Sequence, residues 1–151
     1  MSRAEQELVE DTFRVLSISF SYMEGADSID RFLDERGNPA YSYVIYMNLG
    51  DLYLAQQRFI DAAETYEAFV EQDPLHPRAP LLQVEVVEAY EQGGFPTLVL
   101  DGKKAYVERY AMDGDFWTRN PVEANAAVAE HLKANLSDIA EYHHAMAQAG
   151  G

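Results

Sequence analysis

Between Tyr43 and His76 the hydrophobic positions fall into two stripes with a polar break between them. Apolar residues at Tyr46, Leu49, Leu52 and Tyr53 keep the three-four spacing of a helix with one buried face. Gln56, Gln57 and Arg58 interrupt the pattern. A second stripe follows at Phe59, Ala62, Ala63, Tyr66, Phe69 and Val70, and Asp73-Pro74 stops it, because proline has no N–H to donate and clashes with the preceding turn. The pattern predicts two helices joined by a tight turn. Gly50 sits on the first stripe, where it costs about 1 kcal/mol relative to alanine. A close helix crossing is the expected reason, and Ala62 and Ala63 are small enough to allow one.

The flanks repeat the scheme. Residues 3–23 carry Leu8, Val9, Thr12, Phe13, Leu16, Phe20 and Met23, and Gly25 is placed to end that helix. Asp27 or Ser28 can cap a short helix bearing Ile29, Phe32 and Leu33, which Gly37-Asn38-Pro39 closes. After a turn at Pro77, a helix from Leu81 to Gln92 carries Leu82, Val86, Ala89 and Tyr90. Gly93-Gly94 ends it, and Pro96 opens another that runs to Tyr110. Lys103 on that helix is expected to lie over apolar surface with its amine in water. Phe20 precedes Tyr53 by 33 residues and Tyr90 follows it by 37, so three hairpins share one register. Residues 111–121 read as a connector in which Phe116 and Trp117 either pack onto a helix or anchor a partner. A last helix, 122–149, carries a stripe at Leu132, Leu136, Ile139, Tyr142 and His143 with no helix after it to cover it.

Tyr46, Leu49-Gly50, Tyr53, Ala62, Tyr66 and Pro74 stand at the spacings of a tetratricopeptide repeat, which residues 43–76 closely resemble. Tyr46 stands where that family usually has tryptophan, and Phe69 where it usually has alanine. The resemblance extends more weakly over residues 8–110. It implies an all-α fold: a right-handed superhelical array of antiparallel helix pairs, a TPR-like α-solenoid. It further implies one domain over 3–149, with units 3–37, 40–76 and 77–110, the connector and the terminal helix, as part of a longer array. The segments GDLYLAQQRFIDAAETY, YEQGGFPTLVLDGKKAYVERYA and HLKANLSDIAEYHHAMAQ resemble multi-repeat proteins of the bacterial cell envelope. That resemblance implies a scaffold without a reaction of its own, in the periplasm or at the outer-membrane periphery; the cytoplasm stays open.

In the family the first helix of each pair lines the concave face. Carried over by register, this implies Asp11, Arg14, Ile18 and Ser21, then Val44, Met47, Asp51 and Leu54, then Leu81, Val84, Glu88 and Glu91. Such a face suits a protein or peptide with apolar and basic residues. It departs from the family's carboxylate clamps: Asn48 fits one, whereas Asp51, Glu88 and Glu91 oppose it. Met47 reads equally well as core filling, since a thioether fits irregular gaps.

Composition narrows the function classes. The 151 residues are 48% hydrophobic, enough for one core. Acids outnumber bases 26 to 11, and a net charge of -15 opposes nucleic acid and anionic membrane surfaces alike. No apolar run reaches the ~18 residues of a membrane span, so no direct membrane insertion is expected. Residues 2–11 are acidic and lack the apolar core of a signal peptide. There is no cysteine, hence no disulfide or thiolate chemistry. There is no GxSxG, P-loop or GxGxxG. Of His76, His131, His143 and His144, none forms HExxH, and His76 reads as a turn residue capping carbonyls of the preceding helix. Glu64, Glu67 and Glu71, like Glu85, Glu88 and Glu91, read as solvated helix faces. No catalytic residue, metal or cofactor is expected. Two other readings stay open: a structural spacer with no groove ligand, and a metal-dependent hydrolase using Glu141, His143 or His144. The exposed stripe of the last helix offers a route to self-association.

Overall fold

The structure, a computed structural model, describes residues 2–21, 25–35, 37 and 42–150, apart from the side chains of residues 13, 17, 20 and 21. The expected register of Phe20 with Tyr53 and Tyr90, the core positions Phe13 and Met23, the groove position Ser21 and the stop at Asn38-Pro39 lie outside the described residues. Among the described residues the chain is all-α and holds no strand. The helices are α1 (Arg3–Ser21), α2 (Ala26–Asp34), α3 (Ser42–Ala55), α4 (Phe59–Gln72), α5 (Ala79–Gly93), α6 (Pro96–Tyr110), α7 (Asp115–Arg119) and α8 (Ala126–Gly150). Each packs on helices near it in the chain: α3 on α4, α4 on α5, α5 on α6, and α8 on α6, while α1 lies chiefly on α3.

The helix ends follow local chemistry. Pro80 and Pro96 stand in first turns, where a missing N–H costs nothing. Gly94 is left-handed (φ 77°); its N–H donates to the Glu91 carbonyl (3.2 Å), and the Phe95 N–H donates to the Tyr90 carbonyl (3.0 Å). That pair of bonds satisfies carbonyls the helix leaves orphaned, the Schellman arrangement. The same pair closes α3 around Gln57, which adopts φ 59° without being glycine. There the Gln57 N–H donates to the Leu54 carbonyl and the Arg58 N–H to the Tyr53 carbonyl, both at 2.9 Å. Arg58 then lays its guanidinium 4.2 Å from the centre of the Tyr53 ring.

Among the described residues one core runs through α2 to α8, and Leu16 of α1 packs against it. Ile29 and Leu33 enter it from α2, Ile45, Tyr46, Leu49 and Tyr53 from α3, and Tyr66, Phe69 and Val70 from α4. Leu82 and Val86 of α5, Tyr106 and Tyr110 of α6, Phe116 of α7, and Val128 and Leu132 of α8 complete it. Each such side chain stabilises the fold by roughly 1.5–3 kcal/mol on burial. Gly50 sits where the expected close crossing occurs: a Cβ there would lie 2.3 Å from Cε1 of Tyr66.

Several expectations need correction. The connector holds a short helix, α7, in its middle. Phe116 is fully buried against Tyr110 (ring centroids 5.1 Å), which removes it as a partner anchor. The last helix begins at Ala126 instead of Val122, because residues 122–124 form a short 3-10 turn. Asn125 breaks it, with its side-chain amide donating back to the Pro121 carbonyl at 2.9 Å. Lys103 does not hold its amine free in water: Nζ lies 2.9 Å from Asp138 of α8 and 3.8 Å from Glu91 of α5. Beyond Leu132 the last helix is mostly uncovered; Leu136 is 48% exposed, and every residue from 141 to 149 is exposed. No helix among the described residues is long and apolar enough to cross a membrane.

Candidate functional site

A depression of about 600 Å³ lies between α1 and α3. Its α1 wall is Glu10, Asp11, Arg14 and Ile18, which follow one another at helical spacing along one face. Its α3 wall is Val44, Asn48, Asp51 and Leu52. Ile18, Val44 and Leu52 make the apolar part, and three carboxylates stand along the rim. Arg14 is already paired, its Nη2 lying 2.7 Å from Oδ1 of Asp11. The one base among the described lining residues is therefore neutralised, and the acids of Glu10 and Asp51 set the sign of that lining.

Asp51 also belongs to the fold. It accepts the hydroxyl proton of Tyr66 at 2.5 Å. Burial first, and that hydrogen bond second, hold the Tyr66 phenol far above its ordinary value of 10.0. The acidic field continues onto α5. Glu85 is half-buried, and burial, then Glu88, then Asp51 raise its carboxyl above the ordinary 4.5. Asp51, Glu85 and Glu88 thus feel one another across α3 and α5. Glu85 is not the freely solvated group its helical spacing suggests.

Of the twelve residues expected on one face, Asp11, Arg14, Ile18, Val44 and Asp51 share this groove. Glu88 is exposed beside its acidic end. Met47, Leu54 and Val84 are partly buried against the core instead. Leu81 lines a second depression with Pro77, Arg78 and Asn120, where the 3-10 turn and the start of α8 come up against α5. Glu91 lines a third at the far end of α5 with Phe95, Pro96 and Val99. The expected face is divided because α8 and the connector sit over one end of α5, a contact between distant segments that helical register does not reveal. Glu10 and Leu52 were missed as groove residues. Glu10 lies one turn before Arg14, so extending the same register by one turn finds it.

On the opposite side, Asp27, Asp30, Glu64, Glu67 and Glu71 gather around a depression between α2 and α4. Glu67 is half-buried there, and burial, then Glu71, raise its carboxyl. Tyr46 donates its hydroxyl proton to Asp30, whose carboxyl burial nevertheless raises above the ordinary 3.8. Glu141, His143 and His144 all lie exposed on α8. Among the described residues no group of three or more histidines and carboxylates is placed to hold a metal ion. Comparison of the chain with protein-family models, with curated proteins and with solved structures finds no match in any of the three.

Proposed function

We propose that this chain is a non-catalytic protein-binding scaffold, a tetratricopeptide-like array that takes an apolar and basic peptide segment in the groove between α1 and α3. The observation that carries the reading is the groove itself: Ile18, Val44 and Leu52 side by side, with Glu10, Asp11 and Asp51 around them. A segment with leucine- or isoleucine-like anchors fills the apolar part, and its lysines or arginines meet a rim whose own arginine is already paired. Burial is the main cause of the raised Glu85 carboxyl, and the repulsion that Glu88 and Asp51 add to it is relieved when a cation arrives.

Antiparallel pairing within each hairpin is supported by which residues meet. Tyr66 reaches Asp51 while Gln72 reaches Tyr46, so α4 retraces α3 in reverse. The buried Tyr53 and the half-buried Tyr90 occupy matching places on α3 and α5. α8 lies against α6 and α5 much as α5 lies against α4 and α3, in the place of a further first helix. A right-handed superhelix is the arrangement this repetition favours.

The test uses fluorescent amphipathic peptides of equal hydrophobicity, one rich in lysine and one in glutamate. Their binding is measured against the wild type and against Glu10→Lys with Asp11→Lys, both exposed positions. Asp51 is left alone because it holds Tyr66. The basic peptide should bind preferentially and lose about tenfold in the double variant, the worth of two exposed ion pairs at roughly 0.7 kcal/mol each. Equal binding of both peptides, or affinity untouched by the double reversal, would remove the groove from the account.

A further inference from the structure

Residues 73–78 join α4 to α5, and His76 stands within that turn. Its half-buried ring lies 5.4 Å from the Tyr43 ring of α3 and 5.4 Å from the Phe69 ring of α4. Its backbone is held at both sides: the His76 N–H donates to the Asp73 carbonyl (3.2 Å), and the Ala79 N–H donates to the His76 carbonyl (2.9 Å). The side chain does not cap carbonyls. Instead the Arg78 N–H donates to Nδ1 of His76 at 3.0 Å, so the neutral ring carries its proton on Nε2. The same turn anchors the connector. Asn120, only 7% exposed, donates from Nδ2 to the Leu75 carbonyl and to the Phe116 carbonyl, each at 3.0 Å. Trp117 stands three residues earlier and donates to the Tyr110 carbonyl at 3.0 Å. One short turn therefore ties together α3, α4, α5 and α7.

We propose that His76 is a proton-operated latch: the neutral ring holds the 73–78 turn and, through Leu75 and Asn120, the docked connector, and the protonated ring loosens both. A proton on Nδ1 replaces an acceptor by a donor that faces the Arg78 N–H, so the side-chain bond is lost and two donors oppose each other. Among the described residues, the charged groups facing the ring come from the turn: Asp73 attracts an imidazolium and Arg78 repels it. α3 brings the Tyr43 phenol, and the α4 contact, Phe69, brings no charge. Burial outweighs Asp73 and lowers the imidazole below its ordinary 6.5, so the latch is closed at neutral pH and opens on acidification. The depression lined by Pro77, Arg78, Leu81 and Asn120 spans the parts the latch joins, and it changes shape when they separate. This device stands apart from the α1–α3 groove and does not depend on any ligand there.

An NMR titration of the 151-residue chain tests it, following the His76 ring together with protection of the Arg78 backbone amide, the Trp117 indole N–H and the Asn120 side-chain amide. His76→Asn is measured alongside, because asparagine keeps an acceptor two residues before the Arg78 amide but does not titrate. In the wild type, protection at the three N–H groups should fall about fivefold, the worth of one net hydrogen bond, in step with protonation of the ring. In His76→Asn it should stay level. Asn120→Ala should retain the change at Arg78 and abolish it at Trp117. The latch is excluded if the three N–H groups keep their protection while the His76 ring titrates, or if His76→Asn loses protection over the same pH range.

Discussion

Among the described residues four tyrosines bury their rings completely, and what each hydroxyl finds separates them. Tyr46 donates to Asp30, Tyr66 to Asp51 and Tyr106 to the Val128 carbonyl at 2.8 Å, while the Tyr110 hydroxyl has no partner among the described residues. A buried hydroxyl without a partner costs free energy, and a paired one contributes about 1 kcal/mol. Tyr110→Phe should therefore leave stability unchanged or raise it, whereas Tyr106→Phe should cost about 1 kcal/mol, both read from urea denaturation midpoints. At Gly50 the Tyr66 ring occupies the space of a side chain, so Gly50→Leu should cost at least about 1–3 kcal/mol by overpacking. A midpoint within error of the wild type would mean α3 and α4 do not cross closely there. Gln57 holds a left-handed conformation that disfavours side chains, and Gln57→Gly should stabilise by about 0.5–1 kcal/mol despite the added freedom of the unfolded chain. The need for Gly50 was legible, because a glycine on an apolar stripe has few other uses. The strain at Gln57 was not, because glutamine carries no turn signal, and neither were the tyrosine partners, which lie on other helices.

At the scale of elements, the hairpins were legible where their ends are written in the chain: Gly94 with its left-handed cap, Pro80 and Pro96 in first turns, and Pro74 after a stop. The connector was legible only in part. Phe116 and Trp117 are too apolar for a free loop, but α7 is five residues long and owes its position to Asn120 reaching the Leu75 carbonyl 45 residues back. No local pattern encodes that bond. Phe116→Ala should cost about 3–5 kcal/mol, as large aromatic truncations in cores do, and should shift the emission of Trp117, whose ring packs edge-on to Phe116 at 5.1 Å. Unchanged emission together with unchanged stability would show that α7 is not docked. The break at Asn125 hid for a similar reason: the alanine-rich sequence after Pro121 suits a helix throughout, and the side-chain bond of Asn125 to the Pro121 carbonyl decides otherwise.

For the whole molecule, charge governs both stability and the proposed binding. Asp30, Glu67 and Glu85 have carboxyls raised above their ordinary values, chiefly by burial. A carboxyl raised on folding binds its proton more tightly in the folded state. Its contribution to stability therefore grows as pH falls through the folded value towards 3.8 for Asp30 or 4.5 for the glutamates, and is lost as pH rises again. His76 acts in the opposite sense: lowered by burial, it contributes fully above 6.5 and less as pH falls below. In His76→Asn, which removes the opposing group, the thermal midpoint should rise as pH falls from about 7 towards 4.5, the ordinary glutamate value, on a chain of net charge -15. A midpoint that falls over this interval would contradict that contribution. The acidic balance and the helical periods were legible in the sequence, but the groove was only half so: register placed Arg14, Ile18, Val44 and Asp51 together, and could not show that Met47, Leu54 and Val84 turn towards the core. The most direct test of the proposed scaffold is methyl and amide NMR of the full chain with a lysine-rich amphipathic peptide. Saturable shifts should concentrate at Ile18, Val44, Asn48 and Leu52; shifts that concentrate instead around Leu81 and the start of α8, or none at saturating peptide, would contradict it.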